Sequence, residues 1–171
     1  MNSLRSRSFR FGLIALASVL IAAVCLYIFR TRHDGLSLPK ILGTMELKKE
    51  IRGDEASRIV NAMHGKGVTP ADNLIGIYAK SGARTTVYLS AFDKRKDAEV
   101  VLRRMIGGIE RGDTPFSSLE QKNVGRTNVA SCTGLGEVHY FFAANNELYW
   151  LASDIQLSER SLAEFIATLS N

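Results

Sequence analysis

The sequence predicts an α+β fold, a mainly antiparallel sheet packed with helices, set behind an N-terminal transmembrane helix. Three observations predict it. Residues 11–29, FGLIALASVLIAAVCLYIF, carry no charge. Downstream, apolar residues recur either at helical spacing, as in Ala98, Val101, Leu102, Met105, Ile106 and Ile109, or in short strand-like runs. The strand-like runs come in neighbouring pairs joined by tight turns, and hairpins build antiparallel sheets.

The first element follows from length. A hydrocarbon core about 30 Å thick needs roughly 20 apolar residues, and residues 11–29 supply that length between Arg10 and Arg30. Tyr27 suits the interface. A cleaved signal peptide has a shorter apolar run ending in small residues; here Ala22 and Ala23 lie inside the run, which ends in Leu26-Tyr27-Ile28-Phe29. Lipid modification at Cys25 would want a small residue at Val24. Arg5, Arg7 and Arg10 precede the span and Arg30 and Arg32 follow it, so the N-terminus is expected in the cytoplasm. The chain then divides into a basic leader (1–10), an anchor in the inner (plasma) membrane (11–29), a juxtamembrane linker (30–39) and an extracytoplasmic domain (40–171).

Within that domain, Met45 to Ile51 alternates as a strand. Asp54 reads as a helix cap, followed by Ala56, Ile59, Val60 and Met63, with Gly65 and Gly67 as the stop. Leu74–Ala79 and Thr85–Phe92 flank the turn Lys80-Ser81-Gly82-Ala83 and form a hairpin. Asp93 reads as the cap of a second helix that ends at Gly112-Asp113-Thr114-Pro115. Gln121 to Thr133 holds one broken strand or two, interrupted near Gly125. Glu137–Ala144 and Glu147–Ser153 form a hairpin around Asn145-Asn146, a pair suited to the positive φ of a type I′ turn. That register sets Phe142 beside Tyr149 and Tyr140 beside Leu151 on one face, and Phe141 beside Trp150 and His139 beside Ala152 on the other. Ser158 caps a third helix with Leu162, Phe165, Ile166 and Leu169 inward. The order β-α-β-β-α-β-β-β-α predicts a two-layer, ferredoxin-like sandwich.

Charge narrows the function classes. The chain carries a net +5, but five of its 22 Lys and Arg lie at or before Arg32 and all 17 Asp and Glu lie from Asp34 onward. The domain is therefore neutral, and no basic stripe tracks a nucleic acid. Lys94-Arg95-Lys96 is broken by Asp93 and Asp97 and reads as a solvated helix start. Cys25 and Cys132 fall on opposite sides of the membrane boundary, so the domain is expected to hold without a disulfide, Cys132 acting as a small buried apolar residue. Metal-ligand spacings are missing: there is no Cys-x-x-Cys and no His-x-x-x-His. Ser90, Ser131 and Cys132 are nucleophile types, but none sits in a Gly-x-Ser-x-Gly elbow. Gly134-x-Gly136 lacks the third glycine of a dinucleotide loop. No cofactor is expected.

The hairpin at 137–153 is apolar on both faces, whereas an antiparallel sheet with helices on one side normally has a polar second face. Either it is central and covered twice, by helices and by residues 113–120 or the third helix, or it presents an aromatic surface. On the second reading His139, Tyr140, Phe142, Tyr149 and Trp150 are the candidate partner or ligand surface. His139 is the one histidine there, and nothing in the sequence supplies partners for base chemistry. His64 at a helix end suits the helix dipole. His33 lies beside the membrane.

Thr86-Val87-Tyr88-Leu89-Ser90-Ala91-Phe92, then Asp93 and a helix with Ala98 and Leu102, resembles the strand–helix half of a SPOR domain. The resemblance covers about twenty residues, with Leu89 and Ser90-Ala91 where that family has a polar residue and a glycine. It implies a ferredoxin-like module that binds peptidoglycan glycan strands outside a membrane anchor. The expected function is thus a single-pass, membrane-anchored extracytoplasmic protein with a non-enzymatic binding or assembly domain, its partner a protein or a second copy. The alternatives are a cell-wall-glycan or small-ligand binding module, and a hydrolase.

Overall fold

Alternating apolar residues and tight turns organise most of the described chain into strands. The computed structural model describes residues 35–64 and 70–169. Its elements are β1 (Ile41–Leu42), β2 (Met45–Arg52), α1 (Gly53–His64), β3 (Asp72–Lys80), β4 (Ala83–Ala91), α2 (Arg95–Glu110), β5 (Phe116–Val124), β6 (Thr127–Gly134), β7 (Glu137–Ala144), β8 (Glu147–Ser153) and α3 (Glu159–Thr168). The eight strands form one sheet in the order β1-β2-β3-β4-β8-β7-β6-β5, and every neighbouring pair is antiparallel. Two meanders, β1 to β4 and β5 to β8, meet along β4 and β8. The sheet curls into a half-barrel.

Strand alternation assigns the two faces. Ile75, Tyr88, Trp150 and Phe141 lie side by side across β3, β4, β8 and β7. Ala56 and Val60 of α1 pack on Ile75, and Ala98, Val101 and Ile109 of α2 pack on the strands beside it, so α1 and α2 share this face. The neighbouring row, Leu74, Leu89, Tyr149 and Phe142, points the other way. Phe165 of α3 sits there, edge-on to Tyr78, Phe142 and Tyr149. Because α3 also touches both β1 and β5, the outermost strands, the half-barrel wraps around it. Ser158 caps α3 by accepting from the Ser161 N–H at 3.1 Å, and the Tyr140 hydroxyl accepts from the Leu157 N–H at 2.9 Å, tying the helix start to β7.

The ferredoxin-like two-layer sandwich is not the fold. That architecture needs strand–helix–strand units whose strands run parallel. Here Arg52 faces Leu74: the chain containing α1 returns to the end of the sheet it left, and β3 pairs antiparallel with β2. Helices also cover both faces, giving three layers. The second crossover is longer than expected, since α2 carries the chain from β4 past β8, β7 and β6 to the far edge at β5. Four strands follow α2: of the one or two strands expected over 121–133 there are two, parted at Gly125 as expected, and the first starts earlier, at Phe116, inside the stretch expected to be a loop. Asp93 does not cap α2; the cap position is Lys94, with no side-chain capping bond. Among the described residues no helix is long and apolar enough to cross a membrane. The predicted span at 11–29 lies outside the described residues, as do Cys25, His33, Gly65 and Gly67.

The second hairpin forms with the expected register: Phe142 faces Tyr149, Tyr140 faces Leu151, Phe141 faces Trp150 and His139 faces Ala152. Of its two turn asparagines, Asn145 takes the positive φ, +55°. Asn146 instead docks the turn, donating from Nδ2 to the Phe92 carbonyl at 2.6 Å and accepting from the Phe92 N–H at 2.9 Å.

Candidate functional site

The aromatic residues of the 137–153 hairpin separate by face. Tyr140, Phe142 and Tyr149 are buried beneath α3. Phe142 and Tyr149 stack at 5.0 Å, and the Tyr149 hydroxyl donates to the Glu147 carboxylate at 2.6 Å. Burial pushes the Tyr149 phenol far above its ordinary value, and the Glu147 carboxylate pushes the same way. These three side chains are part of the core. His139 and Trp150 lie on the opposite face, under α2.

His139 is also buried, at 1% exposure. Trp150 Nε1 donates to its Nδ1 at 3.0 Å, and its Nε2 lies 2.9 Å from the Gly134 carbonyl. An indole N–H can only donate, so Nδ1 is the acceptor and Nε2 carries the proton. Both ring nitrogens are spent on fixing Trp150 and the end of β6. The Phe116 ring stands edge-on to His139 at 4.8 Å and to Trp150 at 5.9 Å. The histidine is a strut for an aromatic cluster, without a free nitrogen for proton transfer or metal binding. Gly134 makes the arrangement possible. A Cβ there would come within 2.8 Å of the Pro115 carbonyl and run into the Phe116 ring.

Above this cluster is a cleft of about 210 Å³ between α2 and the sheet. Its floor is Phe116, Phe141 and Trp150. Its α2 wall is Val101, Met105, Gly108 and Ile109. Met63 of α1, Arg104 and Thr114 complete the lining. The local sequence explains the gap. Val101, Met105, Gly108 and Ile109 fall on one helical stripe, and Gly108 puts no side chain where the stripe would otherwise fill the space. A Cβ at Gly108 would meet the Thr114 methyl at 3.5 Å and the end of the Arg111 side chain at 4.0 Å, both ordinary contacts. Trp150 is half-buried, with Phe141 at 5.3 Å and Tyr88 at 5.6 Å, so one part of its ring is core and another faces the cleft.

The nucleophile types lie elsewhere. Ser90 is buried and donates to Asn73 Oδ1 at 2.8 Å, and Asn73 in turn donates to Ser57. Cys132 is buried beside Phe141, and burial pushes its thiol up to about 11, away from the thiolate. Ser131 sits opposite Tyr140 on β6. Cys132 faces His139 across the β6–β7 ladder, but no side-chain hydrogen bond links any of the three to the His139 ring. Among the described residues no three His, Cys, Asp or Glu side chains converge to hold a metal ion.

Of the five residues singled out from sequence, the structure therefore brings His139 and Trp150 together and separates them from Tyr140, Phe142 and Tyr149. Sequence reading missed Phe116, Arg104, Gly108 and Met63. The one available signal was Gly107-Gly108, a pair of glycines inside an otherwise regular apolar stripe. Compared with known proteins, the chain matches no family model, no curated protein and no solved structure.

Proposed function

We propose that the domain is a non-enzymatic binding module whose site is the cleft under α2, and that the ligand is a small ring-bearing molecule. The observation that carries this is the cleft itself: about 210 Å³ of space, floored by three aromatic rings, in a domain whose other apolar face is closed by α3. Small-ligand sites are concave and mostly apolar, with a few polar groups. An engineered apolar cavity of about 150 Å³ holds benzene, so this one suits a substituted ring. A glycan reading would need an exposed aromatic platform, and Tyr140, Phe142 and Tyr149 are buried. A hydrolase reading would need a nucleophile beside a base, and His139 has both nitrogens engaged. The uncharged run at 11–29 and the arginine excess before it support presentation outside the cytoplasm at the membrane.

Trp150, the sole tryptophan, lines the cleft and reports on it. Titrating the full chain with 4-ethylbenzyl alcohol should shift Trp150 emission saturably. Gly108→Leu, which fills the cleft from the helix side, should abolish the shift while the unfolding temperature is held or raised. Saturable binding that survives Gly108→Leu places the site elsewhere, and no binding by the native chain removes the reading.

A further inference from the structure

Resting on that reading of the cleft, we infer that it selects an aromatic carboxylate, with Arg104 holding the carboxylate at the mouth and the ring lying on Phe116, Phe141 and Trp150. The lining holds two polar side chains, Arg104 and Thr114, and both present donors. The Thr114 oxygen already accepts from the Phe116 N–H at 3.4 Å, which leaves its hydroxyl proton to give. Neither a carboxylate nor a side-chain amide lines the cleft, so no anionic group there pairs with a cation, while the one charged lining residue is cationic.

Arg104 is the one arginine that lines this cleft, and like Arg58, Arg84, Arg103 and Arg126 it makes no ion pair among the described residues. Arg95 pairs with Glu99, Arg111 with Asp113 and Arg160 with Glu164, each at 2.8 Å. Helical partners of Arg104 would stand three or four residues away. Those positions are Val100, Val101, Gly107 and Gly108. No acidic group among the described residues pairs with it, and it lines a mostly apolar cleft, which favours a ligand able to bring the missing charge. A planar carboxylate fits the two-pronged donor geometry of arginine. The cleft volume limits the apolar part to about one substituted ring.

The test uses the full chain at pH 7 and low salt, with 4-ethylbenzoate and 4-ethylbenzyl alcohol as matched probes read by Trp150 emission. The carboxylate should bind about tenfold tighter than the alcohol, the worth of one charge-assisted contact at a half-open mouth. Arg104→Gln should bring that ratio to about one. Arg104 is exposed, so the variant keeps the fold. Equal affinities in the native chain, or a carboxylate preference that survives Arg104→Gln, overturn the inference while leaving the cleft as a neutral site. Failure of both probes overturns the cleft reading itself.

Discussion

Phe165→Ala tests the claim that the half-barrel is held shut by α3. Phe165 is 1% exposed and stands edge-on to three rings, Tyr149 at 6.2 Å, Tyr78 at 6.4 Å and Phe142 at 6.5 Å. Truncating a fully buried phenylalanine costs about 3–5 kcal/mol through lost transfer energy and the cavity left behind. Edge-to-face pairs add roughly 0.5–1.5 kcal/mol each, not additively, so the upper half of the range is expected. A domain of this size typically has about 5–15 kcal/mol in all. The unfolding temperature should therefore drop by roughly 10–20 °C. Urea unfolding followed by circular dichroism is the assay, with Phe165→Leu as the graded control that keeps most of the volume. If α3 detaches before the sheet melts, the m-value also falls, since less surface is exposed in the main transition. A loss below about 1 kcal/mol, the scale of an ordinary surface change, would mean that the aromatic cluster is not what fastens the helix, and the wrapped half-barrel would have to be abandoned.

Three further outcomes follow from the same packing. Burial lifts the phenols of Tyr78, Tyr88, Tyr140 and Tyr149, and lifts Cys132 to about 11. The folded state thus keeps protons that the unfolded chain releases first, so stability is full below about pH 9 and declines as pH rises past about 10; a pH series of urea midpoints that stays flat to pH 11.5 contradicts this. In a Cys25→Ser background, a thiol reagent at pH 8 should leave the native chain unmodified and react once urea unfolds it; rapid native labelling would show that Cys132 is reached without unfolding. The two glycines framing the cleft should respond with opposite signs in thermal melts: Gly108→Ala gains about 0.5–1 kcal/mol from helix propensity because its Cβ meets open contact distance, while Gly134→Ala loses stability against the Pro115 carbonyl. Equal signs would refute the packing at one of them.

The legible and illegible parts of the structure divide by range. The 137–153 hairpin was readable because strand alternation and a two-residue turn fix register locally, and its pairs formed as expected. Ser158 was readable because a cap acts within one helical turn. The sheet order was not. Nothing near Asp93 or Glu110 says that α2 must pass three strands before β5, and nothing in α1 says that Arg52 and Leu74 end up side by side. These follow from how two meanders bury their apolar faces together, a property of the whole chain. The division of the candidate surface between two faces was illegible for the same reason. A hairpin apolar on both faces fits either a double cover or an exposed platform, and only the placement of α3 over Tyr140, Phe142 and Tyr149 decides it.

The two faces then take different work. Under α3, large rings interlock with one another and each hydroxyl is tied, Tyr78 to the Pro39 carbonyl, Tyr140 to the Leu157 N–H and Tyr149 to Glu147. A cavity there would cost stability directly. Under α2, the stripe is interrupted by Gly108, Trp150 is half-covered, and His139 spends its imidazole on holding the tryptophan in place. A buried histidine with two hydrogen bonds is an expensive way to fill space and an effective way to fix an indole ring. Its position argues that the orientation of Trp150 matters more than maximal packing on this side. Substitutions on the α3 face should therefore move the unfolding midpoint, and substitutions around the cleft should move ligand affinity, with His139→Phe the case that joins them. It keeps an aromatic ring in place and removes the Nδ1 acceptor of Trp150 Nε1, so stability should fall by only about 1–2 kcal/mol while 4-ethylbenzyl alcohol affinity falls. A variant that binds as well as the native chain would show that His139 is not what positions the tryptophan.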